Sequence, residues 1–281
     1  MALVDLHLHT TASDGRLTPT ELVHLLARQG LQVAAITDHD STEGLAEAYE
    51  AAKAYPQLTL IPGIELSTDI PGTEVHVLAY FINYDNEDVQ ETLREFRQGR
   101  LHRAMGMVNK LRELGLEIEW QRVQEIAGDG AVGRPHVAQA LLEGGYISEQ
   151  KEAFTKYIGR NGPAYVERQK LTPREATELI IQWGGVPVLA HPSWVADLEP
   201  TLEDLKEAGL EGMEVYYAKY SEELIRELGE TASRQGLLPC GGSDYHAVGN
   251  PGEPLPGSMG PPLEIAERLE ELATKRARAG Q

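Results

Sequence analysis

The chain has 281 residues, with 25 basic against 44 acidic side chains and a formal net charge of −19, which argues against a broad electrostatic footprint for duplex DNA. A single cysteine, Cys240, excludes an intramolecular disulfide and a cysteine zinc cluster. No run approaches the roughly 18 apolar residues of a membrane span, and the opening residues lack the order of a secretory signal, so the expectation is a cytoplasmic protein with no membrane partner.

The first element, "VDLHLHTTASDG" at residues 4–15, places His7 and His9 on one side of a strand expected over Leu3 to Leu8, because side chains alternate with period 2. Asp14 follows at once, and two imidazoles on a shared face are what a metal ion needs. Next comes "LTPTELVHLLARQG", with Thr18 as N-cap, Pro19 at the first helical position, Glu21 three residues after the cap and Gly30 as the stop. Further strands are expected over Val33 to Thr37, Leu58 to Leu66, Glu74 to Ile82, Val186 to Ala190, Gly212 to Tyr217 and Leu238 to Gly242. Several are continuous apolar runs, as parallel strands covered on both faces tend to be. The helix grammar of Thr18 returns in "LTPREATELIIQWGG", residues 171–185. Alternating strands and helices predict an α/β fold with a parallel sheet.

One interval breaks the alternation. Between about residue 85 and residue 168 no strand pattern occurs, and Val89, Leu93, Phe96, Leu101, Met105, Val108, Leu111 and Leu114 recur at roughly helical spacing. We read residues 1–84 and 169–281 as one barrel domain and 85–168 as a helical insertion capping its substrate site. A Pro/Gly-rich loop at 247–262 and a charged helix at 263–277 complete the chain.

The candidate chemistry sits at strand ends. His39 follows "AAITD", Glu65 follows "LIPGI", His76 lies in "TEVHVLAY", His191 follows "VPVLA", and Asp244 with His246 closes "LPCGGSDYH". In barrel enzymes the C-terminal strand ends converge on one face, so groups distant in sequence can meet there. Mixed imidazole and carboxylate donors favour a transition metal over magnesium or calcium.

In their order along the chain, "DLHLHTTASDG", "ITDHDST", "GIELST", His76, "LAHP" and "GGSDYH" resemble the motifs of the PHP (polymerase and histidinol phosphatase) family. The resemblance implies a distorted (β/α)7 TIM-like barrel of the PHP type and two to three divalent transition-metal ions, manganese first, with iron or zinc as alternatives. It also implies one ion on His7, His9, Glu65 and Asp244, a second on Glu65, His76 and His191, and a third on Asp14, His39 and His246. Glu65 is then a bridging ligand, and Glu65 and Asp244 belong to the catalytic set. Asp38, beside His39, has no ligand place in this mapping and reads as a supporting or buried polar residue. Clustered metals lower the pKa of a shared water and neutralise phosphoryl oxygens, so the implied reaction is phosphoester hydrolysis.

Inside the insertion, "GRPHVAQALLEGG" opens a helix at residue 135, so Arg134 and His136 flank an N-terminus that favours anions. "GRPHVA" is similar to a segment of the PHP branch that hydrolyses nucleoside 3',5'-bisphosphates and trims short RNA from its 5' end, where the arginine and histidine help hold substrate phosphate. Arg134 and His136 are therefore expected as substrate-binding and catalytic residues. The substrate is expected to be a phosphorylated small molecule such as adenosine 3',5'-bisphosphate, or a short 5'-phosphorylated RNA, handled by a monomer or small homo-oligomer. Arg94, Arg97, Arg100 and Arg103 drift about 60° per step around a helix, so most are expected to be solvated. Trp120, Trp183 and Trp194 are expected to be packing groups, with Trp194 close enough to "HPS" to border the pocket. Other PHP phosphomonoesterases, a nucleoside monophosphatase or histidinol phosphatase, and a non-catalytic metal- or anion-binding protein remain as alternatives.

Overall fold

The computed structural model describes residues 2–70, 73–167, 171–249 and 252–279. The boundary expected at 168/169 lies outside the described residues, as do Asn250 and Pro251 of the Pro/Gly-rich loop. Seven strands form one sheet in sequence order: β1 (Val4–Asp5), β2 (Val33–Ile36), β3 (Thr59–Ile70), β4 (Thr73–Tyr80), β5 (Val186–Ala190), β6 (Gly212–Tyr217) and β7 (Leu238–Gly242). Backbone hydrogen bonds from Leu6 to Gly241 (3.2 Å), from Asp244 to His7 (3.0 Å) and from His9 to Tyr245 (3.0 Å) join the two edges, so the sheet nearly closes into a barrel.

Two strand expectations are corrected. The strand expected over Leu3 to Leu8 is regular only at Val4–Asp5, because beyond Asp5 the chain bonds alternately to the segment after β7 and to Thr37. The sheet is not wholly parallel: β4 runs antiparallel to both β3 and β5. Only two residues separate β3 from β4, far fewer than the crossover a parallel pair requires, so the pair is a hairpin and β3 runs on to Ile70 instead of stopping at Leu66.

The helices follow their local signals. In α1 (Pro19–Gln29) the Thr18 hydroxyl accepts from the Glu21 amide, the Glu21 carboxylate accepts from the Thr18 amide, and Gly30 ends the helix at φ 79°. Its buried face, Leu22, Val23 and Leu26, packs with Ala34 and Ile36 of β2 and with Leu45 of α2 (Leu45–Ala52), each side chain contributing about 1.5–3 kcal/mol on burial. After β4 come α3 (Glu87–Glu113), α4 (Trp120–Ala127), α5 (Arg134–Glu143) and α6 (Gln150–Ala153), the last continuing as a π-helical turn over Phe154–Ile158. These four pack around a hydrophobic cluster of their own that includes Met107, Leu111, Val123, Leu141 and Ile158. A Thr172 capping box starts α7 (Pro173–Gln182), which precedes β5. Then α8 (Leu198–Glu207) and α9 (Glu222–Gln235) flank β6, and α10 (Leu263–Ala279) follows β7.

Alternation along the strands decides which side chains enter the barrel. Ala35, Leu78, Tyr80, Val188 and Ala190 share one cluster with Ile265, Ala266 and Leu269 of α10, whereas their neighbours Ala34, Ile36, Val77, Ala79 and Leu189 pack among the outer helices. This apolar floor leaves polar side chains to the opposite mouth.

Candidate metal centre

Glu65, fully buried on β3, is the hub of that mouth. Its carboxylate lies 2.7 Å from His76 Nδ1, 3.1 Å from His7 Nε2, and 3.3 Å from His9 Nε2, His39 Nδ1 and His191 Nε2. Asp244 Oδ1 lies 3.3 Å from His9 and 3.5 Å from His7, while Asp14 lies 3.4 Å from His246 Nε2 and 3.9 Å from His39 Nε2. The fold thus gathers His7, His9, Asp14, His39, Glu65, His76, His191, Asp244 and His246 into one cluster. His76 belongs to it because β4 is antiparallel, which brings the beginning of that strand, not its end, to the mouth.

Groups compact enough to hold one ion are His7, His9 and Asp244; His7, Glu65 and His191; His39, Glu65 and His76; and His9, Asp14, His39 and His246. The expected third set, Asp14, His39 and His246, recurs with His9 added. The expected second set divides, with His191 grouped through His7 and His76 through His39. Two observations fit this cluster to metal ions. Among the described residues, buried His9 finds no hydrogen-bond partner for either ring nitrogen, nor does His39 for Nδ1, which would be a costly arrangement for groups with no further partner. The donors are imidazole nitrogen and carboxylate oxygen, which suits divalent transition metals.

Charge organises the same residues. Burial alone would raise Glu65, but His39, His7 and His76 outweigh it and hold the carboxyl well below its ordinary range. Asp14 and Asp244 are lowered against burial by their histidine neighbours. Burial pushes His39 down to about 3, leaving a neutral imidazole. His9 goes the other way: the carboxylates of Asp244 and Glu65 overcome burial and raise it to about 10.

A second layer aims the cluster, and two of its members were not singled out from the sequence. Glu214 of β6, fully buried, contacts His7 Nδ1 at 2.8 Å and accepts from the His191 amide at 2.9 Å. An acidic residue inside the apolar run "GMEVYY" was the available signal. Asp5, on the same face as His7, accepts from the Ser243 and Gly257 amides at 3.0 and 2.9 Å and so pins β1 to the chain after β7. The β strands pack closely there, since a Cβ on Gly242 would strike the Asp5 carboxylate and the His7 amide. Asp38, expected as a supporting or buried polar residue, is buried and accepts from the Thr10 amide (2.8 Å), the Thr10 hydroxyl (2.7 Å) and the Ser13 hydroxyl (2.6 Å). His191 and Asp244 themselves have left-handed backbones, φ 47° and 54°, a sparsely populated region for non-glycine residues that is often kept at functional sites.

Beside the cluster, Asp14, His39 and His76 form one wall of a cleft whose other wall carries Arg100, Arg103 and Arg134. Arg100 donates from Nε to Asp40 at 2.6 Å, Arg103 lies 3.5 Å from Glu74, and Arg134 pairs with the same Glu74 carboxylate. Arg97 is also taken up, 2.9 Å from Glu43, and only Arg94 is exposed, so the expectation that most of this series is solvated is corrected. With about 60° between successive members, Arg97, Arg100 and Arg103 span only about 120° of α3, an arc that long guanidinium side chains can turn toward one mouth.

His136, two residues beyond Arg134, is buried; its Nδ1 accepts from the Gly133 amide at 2.9 Å, and it lines an adjoining cavity with Arg16 and Gln139 that shares Asp14 and Pro135 with the arginine cleft. With this nitrogen engaged at the start of α5, His136 stands at the edge of the arginine cleft, beside Asp14 and Pro135. Arg160 is tied to Asp69 at the end of β3. Trp194 is 53% exposed and not a core packing group; one face stacks on His191, at the border of the cluster. Buried Cys240 is a small core residue of β7.

Buried imidazoles and carboxylates compact enough to hold metal ions, at the mouth of an α/β barrel beside a cleft of guanidinium groups, mark the site of a metal-dependent hydrolase of phosphate esters. A PHP domain family model matches residues 5–170. The chain is 34% identical over 267 residues to a 3',5'-nucleoside bisphosphate phosphatase of Chromobacterium violaceum, covering 90% of each. It is 35% identical over 251 residues to a 5'-3' exoribonuclease of Haemophilus influenzae, covering 86% of this chain and 89% of the relative. Among solved structures, an amidohydrolase from Chromobacterium violaceum with bound sulfate and no metal superimposes with a TM-score of 0.86 at 30% identity, covering 96% and 97% of the two chains. The chain belongs to the PHP family. Among the described residues no helix is long and apolar enough to cross a membrane.

Proposed function

We propose that this protein hydrolyses the 3'-phosphate of nucleoside 3',5'-bisphosphates and, with the same site, trims short 5'-phosphorylated RNA from its 5' end. The observation that carries the reading is the shared cleft, in which guanidinium groups of Arg100, Arg103 and Arg134 face the imidazoles of His39 and His76. Such a cleft suits a ligand with two phosphates, one gripped and one attacked. In a bisphosphate and in 5'-phosphorylated RNA the 5'-phosphate is a free terminus, while the 3'-phosphate is the ester to be broken, so one grip serves both substrates. The relatives named as bisphosphate phosphatase and exoribonuclease support this pairing.

His7, His9, Asp14, His39, Glu65, His76, His191, Asp244 and His246 would hold two to three divalent ions, manganese first and iron or zinc as alternatives. When bound, these ions supply Lewis acidity toward water and phosphoryl oxygen. The chain's own contribution is positioning. Glu65 ties five histidines from four chain segments to one point, Glu214 orients His7 and His191 from below, and Arg134, with His136 at the same helix start, holds the phosphate that does not react. Residues 85–168 serve as a substrate-binding cap over the barrel of 1–84 and 169–281. The free Cys240 suits a cytoplasmic protein, acting as a monomer or small homo-oligomer.

A substrate panel tests the proposal: adenosine 3',5'-bisphosphate, AMP, histidinol phosphate and a 5'-phosphorylated trinucleotide, assayed with manganese and with metal content measured on the same samples. The highest kcat/KM is expected on the bisphosphate. A preference for histidinol phosphate or AMP would overturn the substrate assignment, and absence of turnover on all four would leave a metal- or anion-binding protein.

A further inference from the structure

The arginine cleft occupies one side of the barrel mouth, above β2, β3 and β4. The other side, above β5 and β6, carries a different set of groups. Trp194 stacks on His191 with ring centroids 4.3 Å apart and planes 27° apart, yet it stays half exposed. Its turn is held in place by Tyr220, whose hydroxyl accepts from the Ser193 amide at 3.3 Å. Lys219, 55% exposed, brings its ammonium within 3.4 Å of Asp244 and 3.1 Å of the Tyr217 hydroxyl. An indole with one face on a candidate metal ligand and so much surface left to solvent leaves apolar aromatic area uncovered at the rim of the site.

We propose that Trp194, with Lys219 beside it, forms a stacking platform for the base of the nucleotide that follows the scissile phosphate. The inference rests on the reading of the arginine cleft as the grip for the 5'-phosphate. With the first nucleotide in that cleft and its 3'-phosphate at the histidine cluster, the chain of a longer substrate must leave across the mouth, toward β5 and β6. Trp194 meets it there. An indole accepts any base, because every base has a π-face, and the Lys219 ammonium supplies positive charge to the next phosphate on a rim otherwise rich in carboxylates. A bisphosphate has no downstream base and cannot use the platform. In the reaction water adds to phosphorus, the bond from phosphorus to the 3'-oxygen breaks, and a proton goes to that oxygen. The products are a 5'-mononucleotide and a shorter chain bearing the 5'-phosphate.

The test compares two 5'-phosphorylated dinucleotides, one complete and one lacking the base of its second nucleotide, with adenosine 3',5'-bisphosphate as reference. In the wild type the complete dinucleotide should have a kcat/KM about 5- to 150-fold above its abasic counterpart. Trp194→Ala should bring that ratio close to one, and Trp194→Phe should restore part of it. Binding gives a measurement independent of turnover: the complete dinucleotide should quench tryptophan fluorescence more than the abasic one, and Trp194→Phe, which keeps Trp120 and Trp183, should abolish the difference. A wild-type ratio near one, or a ratio that survives Trp194→Ala, would overturn the platform. So would an equal loss on all three substrates, which would make Trp194 a support for His191. Turnover of the bisphosphate without cleavage of either dinucleotide would refute the platform and leave the phosphatase reading standing, whereas no turnover of any would refute both.

Discussion

Replacing Arg134 with alanine removes a guanidinium that would donate to the unreacting phosphate, an interaction worth about 1.5–3 kcal/mol when one partner is charged. The surroundings reduce that figure. In the free protein Arg134 is paired with Glu74, and a partly exposed ion pair is worth about 0–1 kcal/mol, which substrate must first give up. The net loss is therefore about 0.5–3 kcal/mol, or about 2- to 150-fold in kcat/KM. It should fall on adenosine 3',5'-bisphosphate and spare an aryl phosphate, which has no second phosphate to grip. Steady-state kinetics on both substrates, with metal quantified in the same samples, checks this. Glu74→Gln is the counterpart, since it removes the negative charge competing for Arg134 and Arg103, and it should lower KM for the bisphosphate. Equal losses on both substrates in Arg134→Ala would place the guanidinium on the reacting phosphate, and no loss on either would refute the grip.

Glu65→Gln should remove at least one ion per chain and reduce activity on every substrate, because five histidines meet that one carboxylate; elemental analysis showing unchanged metal would contradict its bridging role. Glu214→Gln puts an amide nitrogen where either His7 Nδ1 or the His191 amide needs an acceptor, so metal affinity should fall about 10- to 100-fold, measured by competition with a chelator. Metal loading should also release protons. In chelated protein the His9 imidazole, raised to about 10, carries a proton at pH 7.5 that a ligand nitrogen must lose, so affinity should weaken as pH falls. Calorimetry at pH 7.5 in two buffers of different ionisation enthalpy measures that release, and a heat independent of buffer would contradict it.

Much of the site is local in origin and therefore legible along the chain. His7 and His9 share a face because strands alternate, and Thr18 and Thr172 start helices because a capping box satisfies amides within one turn. The ligand types are equally a property of the sequence, since imidazoles and carboxylates carry their coordination chemistry wherever the fold puts them. Direction and company are different, because they depend on segments far apart in the chain. Nothing within "TEVHVLAY" says that β4 runs against its neighbours; the two-residue link to β3 does, and that reversal is what brings His76 to Glu65. The spacing of Arg97, Arg100 and Arg103 predicts solvated side chains when α3 is considered alone, yet Asp40 from the turn after β2, Ser67 of β3 and Glu74 of β4 arrive to receive two of them. His136 lies two residues beyond Arg134, yet its Nδ1 turns back to the Gly133 amide while Arg134 reaches Glu74, because a helix start turns successive side chains apart. Glu214 and Trp194 acquire meaning only against His191, one holding it from beneath and the other covering it from above. The sequence by itself determined which groups are available and the local shape that carries them. Only the tertiary structure decided which of them face one another, because long-range pairing of strands, and not any short-range preference, sets the distances between atoms of separate segments.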